Sequence, residues 1–503
     1  MSRASSAADR LRGSALGITA GLIGWFFLVE ITSGILQGFY VPLFSDIVTQ
    51  LGIHDSDVNW FEAAQLLLSA LVVPVLAKLG DMYGHKRILL IAAILTAAAS
   101  WWLAFAGDFW SFLVAWALQG FYVVWLPLEV ALIFERGRRQ NHGVSLTRRA
   151  AGLIVVGLEA GAIIGALAAG RIFAATGGNL MVTLMVPAIA VTLIAVVIWL
   201  AVPESQPEPG RRLDTWGFVI LAWALLLVTG ALVWMRMIGE LGLGAGAWWW
   251  VAVLLVLGIA CVVWFVRFEL RQDDPAIDVR VLRRPEMWPV QVTAFLVGIS
   301  LLGAQGPLST YAGTDTSLGY GLGLDATGRS NVIGLYLVSL IVGAILFAVT
   351  SRRANPRLIL IVASALVGIG YLLFLPFHLE LWQVLLNLSI AGIGSGALVG
   401  ALPAAAAAAA PHGQTGIASG LTNTTKTVGG TFASAVFGVV LAAGAGAVAS
   451  ETAASLGGYI AVWSICAGGG FLAAIVLFFV PKVAFADEHP DDVEAVAGEA
   501  RIA

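Results

Sequence analysis

Four glutamates, Glu30, Glu62, Glu129 and Glu159, fall inside long apolar stretches of this 503-residue chain. A carboxylate at the centre of a bilayer costs roughly 2.5–3.5 kcal/mol on insertion scales, so such a residue is a functional candidate by default. The chemistry open to it is to hold a cation or to take up and release a proton. Glu30 leads the four. Ser33, Gly34 and Gln37 follow it at i+3, i+4 and i+7, on one helical face. A polar stripe of that kind is expected to face a central cavity and not lipid. Glu159 is expected roughly opposite a ridge of Gly157, Gly161 and Gly165. Glu129 shares a face with Tyr122 and Trp125, and aromatic faces beside a carboxylate suit an organic cation. Glu129 is also placed to pair with the arginines at 136–139. Glu62 lies close to a span end, where it can simply reach water.

Other chemistries find little support. Gly392, Gly394 and Gly396 mimic a nucleotide loop, but no strand precedes them, and helix packing accounts for them. There is no phosphate loop, which argues against an ATP-driven pump. His54, His85, His142, His378, His412 and His489 are scattered through expected loops and the tail, so no metal site is read. Cys261 and Cys466 lie in apolar runs and read as reduced core thiols. Trp101, Trp102, Trp110 and Trp248–Trp250 read as interface anchors. No nucleophile constellation stands out. The chain is not read as an enzyme, and no cofactor is expected beyond protons as the coupling ion.

The elements that must position the glutamates follow from composition. Hydrophobic residues make up 59 % and charged residues 11 %, whereas a soluble domain carries roughly 25 % charged residues. A chain of this length with so few charges cannot coat a water-facing surface, so it is an all-α polytopic membrane protein. A span needs about 20 apolar residues. The runs 15–44, 57–79, 88–106, 110–133, 150–173, 180–202, 215–236, 247–266, 287–310, 328–349, 358–377, 382–410, 417–446 and 458–481 qualify, which makes fourteen. The first is far longer than the core of a cleavable signal peptide. The net charge of −3 says nothing about nucleic acid, and no nucleic-acid partner is read.

Basic residues set the orientation. With the N-terminus cytoplasmic, 24 of the 27 Lys and Arg residues fall inside, and only Arg171, Arg236 and Arg329 fall outside. Both termini are then cytoplasmic. Residues 1–202 hold six spans and 287–481 six more. Two extra spans with basic connectors occupy 203–286, and 482–503 reads as a disordered acidic tail. Gly120 and Pro127 in the fourth span match Gly396 and Pro403 in the twelfth, each pair seven apart, the trace of a parallel duplication.

The second and third spans are joined by Lys78-Leu79-Gly80-Asp81-Met82-Tyr83-Gly84-His85-Lys86-Arg87. This resembles the signature loop of the major facilitator superfamily. Gly416 to Lys426, with Gly429-Gly430, resembles the corresponding segment of its fourteen-helix drug:proton antiporter branch. Pro42 to Leu90, with Leu51-Gly52 and Asn59-Trp60, reads in the same register. The resemblance implies two six-helix bundles that alternate access around a midplane site. It makes Gly80, Asp81, Gly84, Lys86 and Arg87 the gating loop. It also implies a small-molecule substrate, a lipid bilayer as partner, a monomer and a place in the cell membrane.

The departures bear on mechanism. Ala77 replaces the loop's first glycine and His85 an arginine. Trp116 stands three residues before Gln119-Gly120, where that branch has an arginine. Ala162 replaces a proline in the fifth span. The first-span acid is Glu30, not the residue nine before Pro42, which is Ser33. Arg352, Arg353 and Arg357 mark the second-half loop without an aspartate. The scaffold matches well and the coupling apparatus poorly. The expected function is proton-coupled export of a small amphipathic organic compound. Ser33, Gln37, Trp116, Gln119, Tyr122 and Trp125 are expected to line its cavity. The alternatives are uptake or facilitated transport without proton coupling and, in another class, a membrane sensor.

Overall fold

The computed structural model describes residues 20–139, 144–205, 213–241, 243–272, 277, 279–351, 353, 355–410, 415–443 and 452–480. Every regular element among them is helical. In hydrocarbon no water satisfies a backbone amide, so a spanning segment must close its hydrogen bonds on itself. Fourteen helices are long and apolar enough to cross a membrane. They are α1 (Gly21–Leu51), α2 (Asp55–Tyr83), α3 (His85–Phe105), α4 (Phe109–Arg136), α5 (Ala150–Ala175), α6 (Leu180–Ala201) and α7 (Thr215–Ile238). They continue with α8 (Trp248–Glu269), α9 (Trp288–Gly313), α10 (Ala326–Thr350), α11 (Pro356–Leu373), α12 (Leu381–Ala409), α13 (Gly420–Ala442) and α14 (Leu456–Leu477). Each of the fourteen apolar runs falls on one of them. The acidic stretch 482–503 lies outside the described residues, as do His142, His412, His489 and Arg352.

Several helices start on side-chain caps that the sequence supplies. Asp108 accepts from the amides of Trp110 and Ser111 at 3.0 Å, and Asn179, Asp214, Asp325 and Ser455 do the same for α6, α7, α10 and α14. Three spans carry a local break. A 3-10 turn at Val41–Leu43 interrupts α1 at Pro42, another at Gly120–Val124 interrupts α4, and a π turn at Ile299–Gly303 lies inside α9.

The described chain forms two compact units. One holds residues up to Pro42 together with Val72–Leu213, and the other holds Leu43–Leu71 and the chain from Asp214 onward. In the first, α1 packs along α5 with the backbones nearly touching. A Cβ added at Gly161 would meet the carbonyl of Ile31, and one at Gly38 the carbonyl of Ala162. The ridge Gly157, Gly161 and Gly165 therefore serves close helix approach, as small residues do in membranes. In the second unit α9 and α13, which hold the same places in the second six, use the same device. Gly298 lies against Lys426 and Gly429 against Phe295. The helices α7 and α8 pair with each other, Gly258 fitting against Val228, around Ala231, Ile238 and Val251. Outward faces carry exposed Trp199, Trp249, Val256 and Trp264, a surface that suits lipid and not water.

Candidate functional site

Within the first unit, α1 brings Glu30 to full burial and α4 does the same for Glu129. The two carboxyl groups lie within range of one another, with the Ser33 hydroxyl beside Glu30. Neither carboxyl completes a hydrogen bond of ordinary geometry. Two carboxylates side by side away from water repel strongly, so the arrangement is at rest only with a proton or another cationic group between them. Glu129 therefore faces Glu30, while the side chains of Arg138 and Arg139 lie outside the described residues. Arg136 instead donates to the carbonyl of Glu204 at 3.4 Å.

The stripe on α1 divides. Glu30 and Ser33 are buried, Gln37 is exposed, and Gly34 lies against the backbone of Leu158 and Ala162. Gly34 is thus part of the α1–α5 contact and not of a polar cavity wall. Glu159 is half-buried on α5. Glu62, on the part of α2 that belongs to the second unit, is buried (8 % exposed) and does not reach freely into water.

A neutral cluster forms in the same unit. Gln119 donates to the Tyr40 hydroxyl at 2.8 Å and to Ser100 Oγ at 2.9 Å. Trp116 meets Tyr40 edge-on, with ring centroids 5.1 Å apart, and stacks on Phe112 at 5.9 Å. Where an arginine would place a fixed positive charge beside these groups, Trp116 places a buried aromatic ring (3 % exposed). Tyr122 and Trp125 are buried too and meet edge-on at 6.4 Å.

The signature loop is tightly built. Gly84 has φ 105°, a left-handed conformation natural only to glycine. His85 is the first residue of α3, not a loop residue, and is buried. Its Nε2 lies 3.2 Å from Asp81 Oδ1, its Nδ1 2.9 Å from Ser205 Oγ and 3.8 Å from Glu135 Oε2. Glu204 accepts from the amide of Lys86 at 3.1 Å and pairs with Arg87 at 3.4 Å. Lys86 Nζ donates to the carbonyl of Trp199 at 2.9 Å. Sequence reasoning missed Glu135, Glu204 and Ser205. The polar pair Glu204-Ser205 directly behind a span was the available signal.

In the second unit, two of the three basic residues left over on the basic-poor side are consumed by aspartates. Arg236 pairs with Asp57 at 2.5 Å and lies 5.5 Å over the Trp60 ring. Arg329 pairs with Asp46 and donates to the carbonyl of Leu324 at 2.7 Å. Asp55 accepts from the amide of Ala454 at 3.2 Å and from Tyr459 at 3.3 Å. Among the described residues no cluster of His, Cys, Asp and Glu could hold a metal ion.

Fourteen spans, the glycine-built turn at Gly84 and the paired acids describe a secondary transporter more closely than any other class. The Major Facilitator Superfamily profile matches residues 26–434, and the chain belongs to that family of membrane transporters. The probable actinorhodin transporter of Streptomyces coelicolor is 26 % identical over 85 % of this chain and 72 % of its own length. The tetracenomycin C resistance and export protein of Streptomyces glaucescens is 26 % identical over 88 % of this chain and 80 % of its own. The uridine/deoxyuridine transporter of Lactococcus lactis is 21 % identical over 76 % and 77 %. Among solved structures, a peptide transporter in complex with sulfate superposes with TM-score 0.64 at 15 % identity, over 91 % of this chain and 93 % of its own. That likeness establishes the fold.

Proposed function

We propose that the protein is a proton-coupled exporter of a small amphipathic organic compound, resident in the cell membrane with both termini cytoplasmic. The observation that carries the reading is the Glu30–Glu129 pair, two fully buried carboxyls that lie beside one another on α1 and α4. Such a pair holds a proton in one step of a cycle and yields it in another, and Glu159 on α5 is a further acid within a span of the same unit. The gating loop is Gly80, Asp81, Gly84, Lys86 and Arg87, and transport proceeds by alternating access. Export is the direction named for the Streptomyces glaucescens relative. The basic residues gathered on one face support the orientation.

The rival reading is uptake without proton coupling. It is favoured by Trp116 at the position of the branch arginine, and by a relative named as a uridine/deoxyuridine transporter. Reconstitution into liposomes separates the two. An imposed proton gradient must drive solute against its own gradient through an exporter of the proposed kind, and must leave an uncoupled carrier at simple equilibration.

A further inference from the structure

The two compact units do not divide where the spans do. The chain passes from the first unit to the second between Pro42 and Leu43, inside α1, and returns between Leu71 and Val72, inside α2. A proline stands near each crossing. Pro42 lies in the 3-10 turn that breaks α1, and Pro74 lies inside the helix of α2. Proline has no amide to give to the helical ladder, so a helix bends readily there. The sequence groups α1 and α2 with the first six spans, yet residues 43–71 pack with the second unit.

The piece between the crossings holds its own shape. Gly52 closes the helix Phe44–Leu51 with φ 61°. His54 and Asp57 cap the turn that follows, Asp57 Oδ2 accepting from the His54 amide at 3.0 Å. Its aspartates, Asp46, Asp55 and Asp57, are all engaged by residues of the second unit. Asp46 pairs with Arg329 on α10, and Asp57 with Arg236 on α7 at 2.5 Å. Asp55 is buried and accepts from the Ala454 amide at 3.2 Å and from the Tyr459 hydroxyl on α14 at 3.3 Å. The Asp55 amide donates to the Thr452 carbonyl at 2.7 Å. Glycines form the seat. A Cβ at Gly306 of α9 would come within 3.2 Å of Val58, one at Gly313 within 2.3 Å of Ser45 Oγ, and one at Gly438 of α13 within 2.9 Å of the Trp60 ring.

Permanent contacts between spans, such as the ridge of α5, rest on small residues and close packing. Residues 43–71 are held in addition by ion pairs and hydrogen bonds near the ends of spans, and such bonds exchange for bonds to water at little net cost. We infer that residues 43–71 are a strap, hinged at Pro42 and Pro74, which is docked on α9, α10, α13 and α14 in this structure and leaves them when the carrier opens the face that bears Arg236 and Arg329. The inference rests on the alternating access proposed above. Arg236 belongs to α7, so the inserted pair of spans takes part in closing that face.

The experiment uses the full chain with Cys261 and Cys466 replaced. Asn59, buried under the strap's contact with Gly306, is changed to cysteine, and its reaction with fluorescein maleimide is timed in detergent-purified protein. Adding Asp46→Asn and Asp55→Asn together should speed labelling about tenfold, the effect of losing a hydrogen bond to a charged group. An unchanged rate overturns the strap. If that variant does not accumulate, Pro74→Ala takes its place. It restores a ladder bond at the hinge and must slow labelling, and an unchanged rate again overturns the inference. A second chain carries Ser45→Cys and Gly313→Cys. A Cβ at Gly313 would lie 2.9 Å from Ser45 Cβ, and a small adjustment brings the pair to the roughly 3.5–4.5 Å of a disulfide. Ethidium flux in membrane vesicles should stop on oxidation and return with a reductant, while Ser45→Cys alone ignores the oxidant. Continued flux through fully cross-linked protein overturns the strap. If the reduced chain moves no ethidium, the proposed transport loses the support of that probe, and the labelling rate alone decides the strap.

Discussion

The carboxyl group of Glu30 on α1 meets that of Glu129 on α4, and both residues are fully buried in the same unit. One residue is held by helix packing through Gly34 and Gly38, the other by the stretch of α4 that follows the turn at Gly120–Val124. Repulsion between the acids makes their proton content depend on what else approaches them, and the proposed coupling would draw on that dependence.

Glu30→Gln mimics the protonated side chain in shape but cannot release a proton. Gradient-driven flux in liposomes should fall to background, while exchange at equal pH survives. Glu129→Gln should give the same split, and Glu30→Asp partial activity with a displaced pH profile. Full gradient-driven flux in Glu30→Gln would move the proton pathway to Glu159.

Asp81→Asn should lower turnover at normal expression, because the loss acts on the cycle and not on burial. Asp81 is partly exposed, so folding survives the change. Wild-type turnover in this variant would remove the gating role.

Single cysteines at Gly143 and Ser317, in a background where Cys261 and Cys466 are replaced, should react with an impermeant reagent from opposite sides. Ser317 is exposed between α9 and α10. Labelling from the same side contradicts the proposed topology.

Gly161→Val inserts an isopropyl group where the backbone of Ile31 passes. Overpacking of this kind costs about 1–3 kcal/mol, and more where backbone must move. The expected result is reduced expression and a lower melting temperature, whereas Gly152→Val, where a Cβ meets nothing within 4 Å, should be close to neutral.

Arg329→Met strips Asp46 of its partner, and removing one member of a buried pair costs about 3–5 kcal/mol, less here because the Asp46 side chain is 22 % exposed. Adding Asp46→Asn should recover part of the loss. Strict additivity of the two changes in a melting assay would show that the pair contributes no coupling.

The spans were legible because twenty-residue apolar runs have few other uses, and each run reappears as a helix. The glycine ridge of α5 was legible for a similar reason, since its i, i+4 spacing has a direct packing meaning. What could not be read were partnerships across sequence distance. Glu30 and Glu129 lie 99 positions apart, and periodicity gives a helix's face but not its neighbour. The stripe on α1 misled at Gly34, because a glycine beside a polar residue serves backbone approach as readily as a cavity. Arg236 and Arg329 looked like stray outer charges, yet Asp57 and Asp46 claim them, a relation set by tertiary contact alone.

The spans α9–α14 contain no aspartate or glutamate. Carrying one elementary charge through a membrane potential of 100 mV is worth about 2.3 kcal/mol. A proton moving along these six helices would find no carboxyl to ride on. Under the proton coupling proposed above, the electrical work belongs to the helices before α9, and a voltage-sensing experiment should find its charge displacement tied to Glu30 and Glu129 while the six last spans stay electrically quiet toward protons.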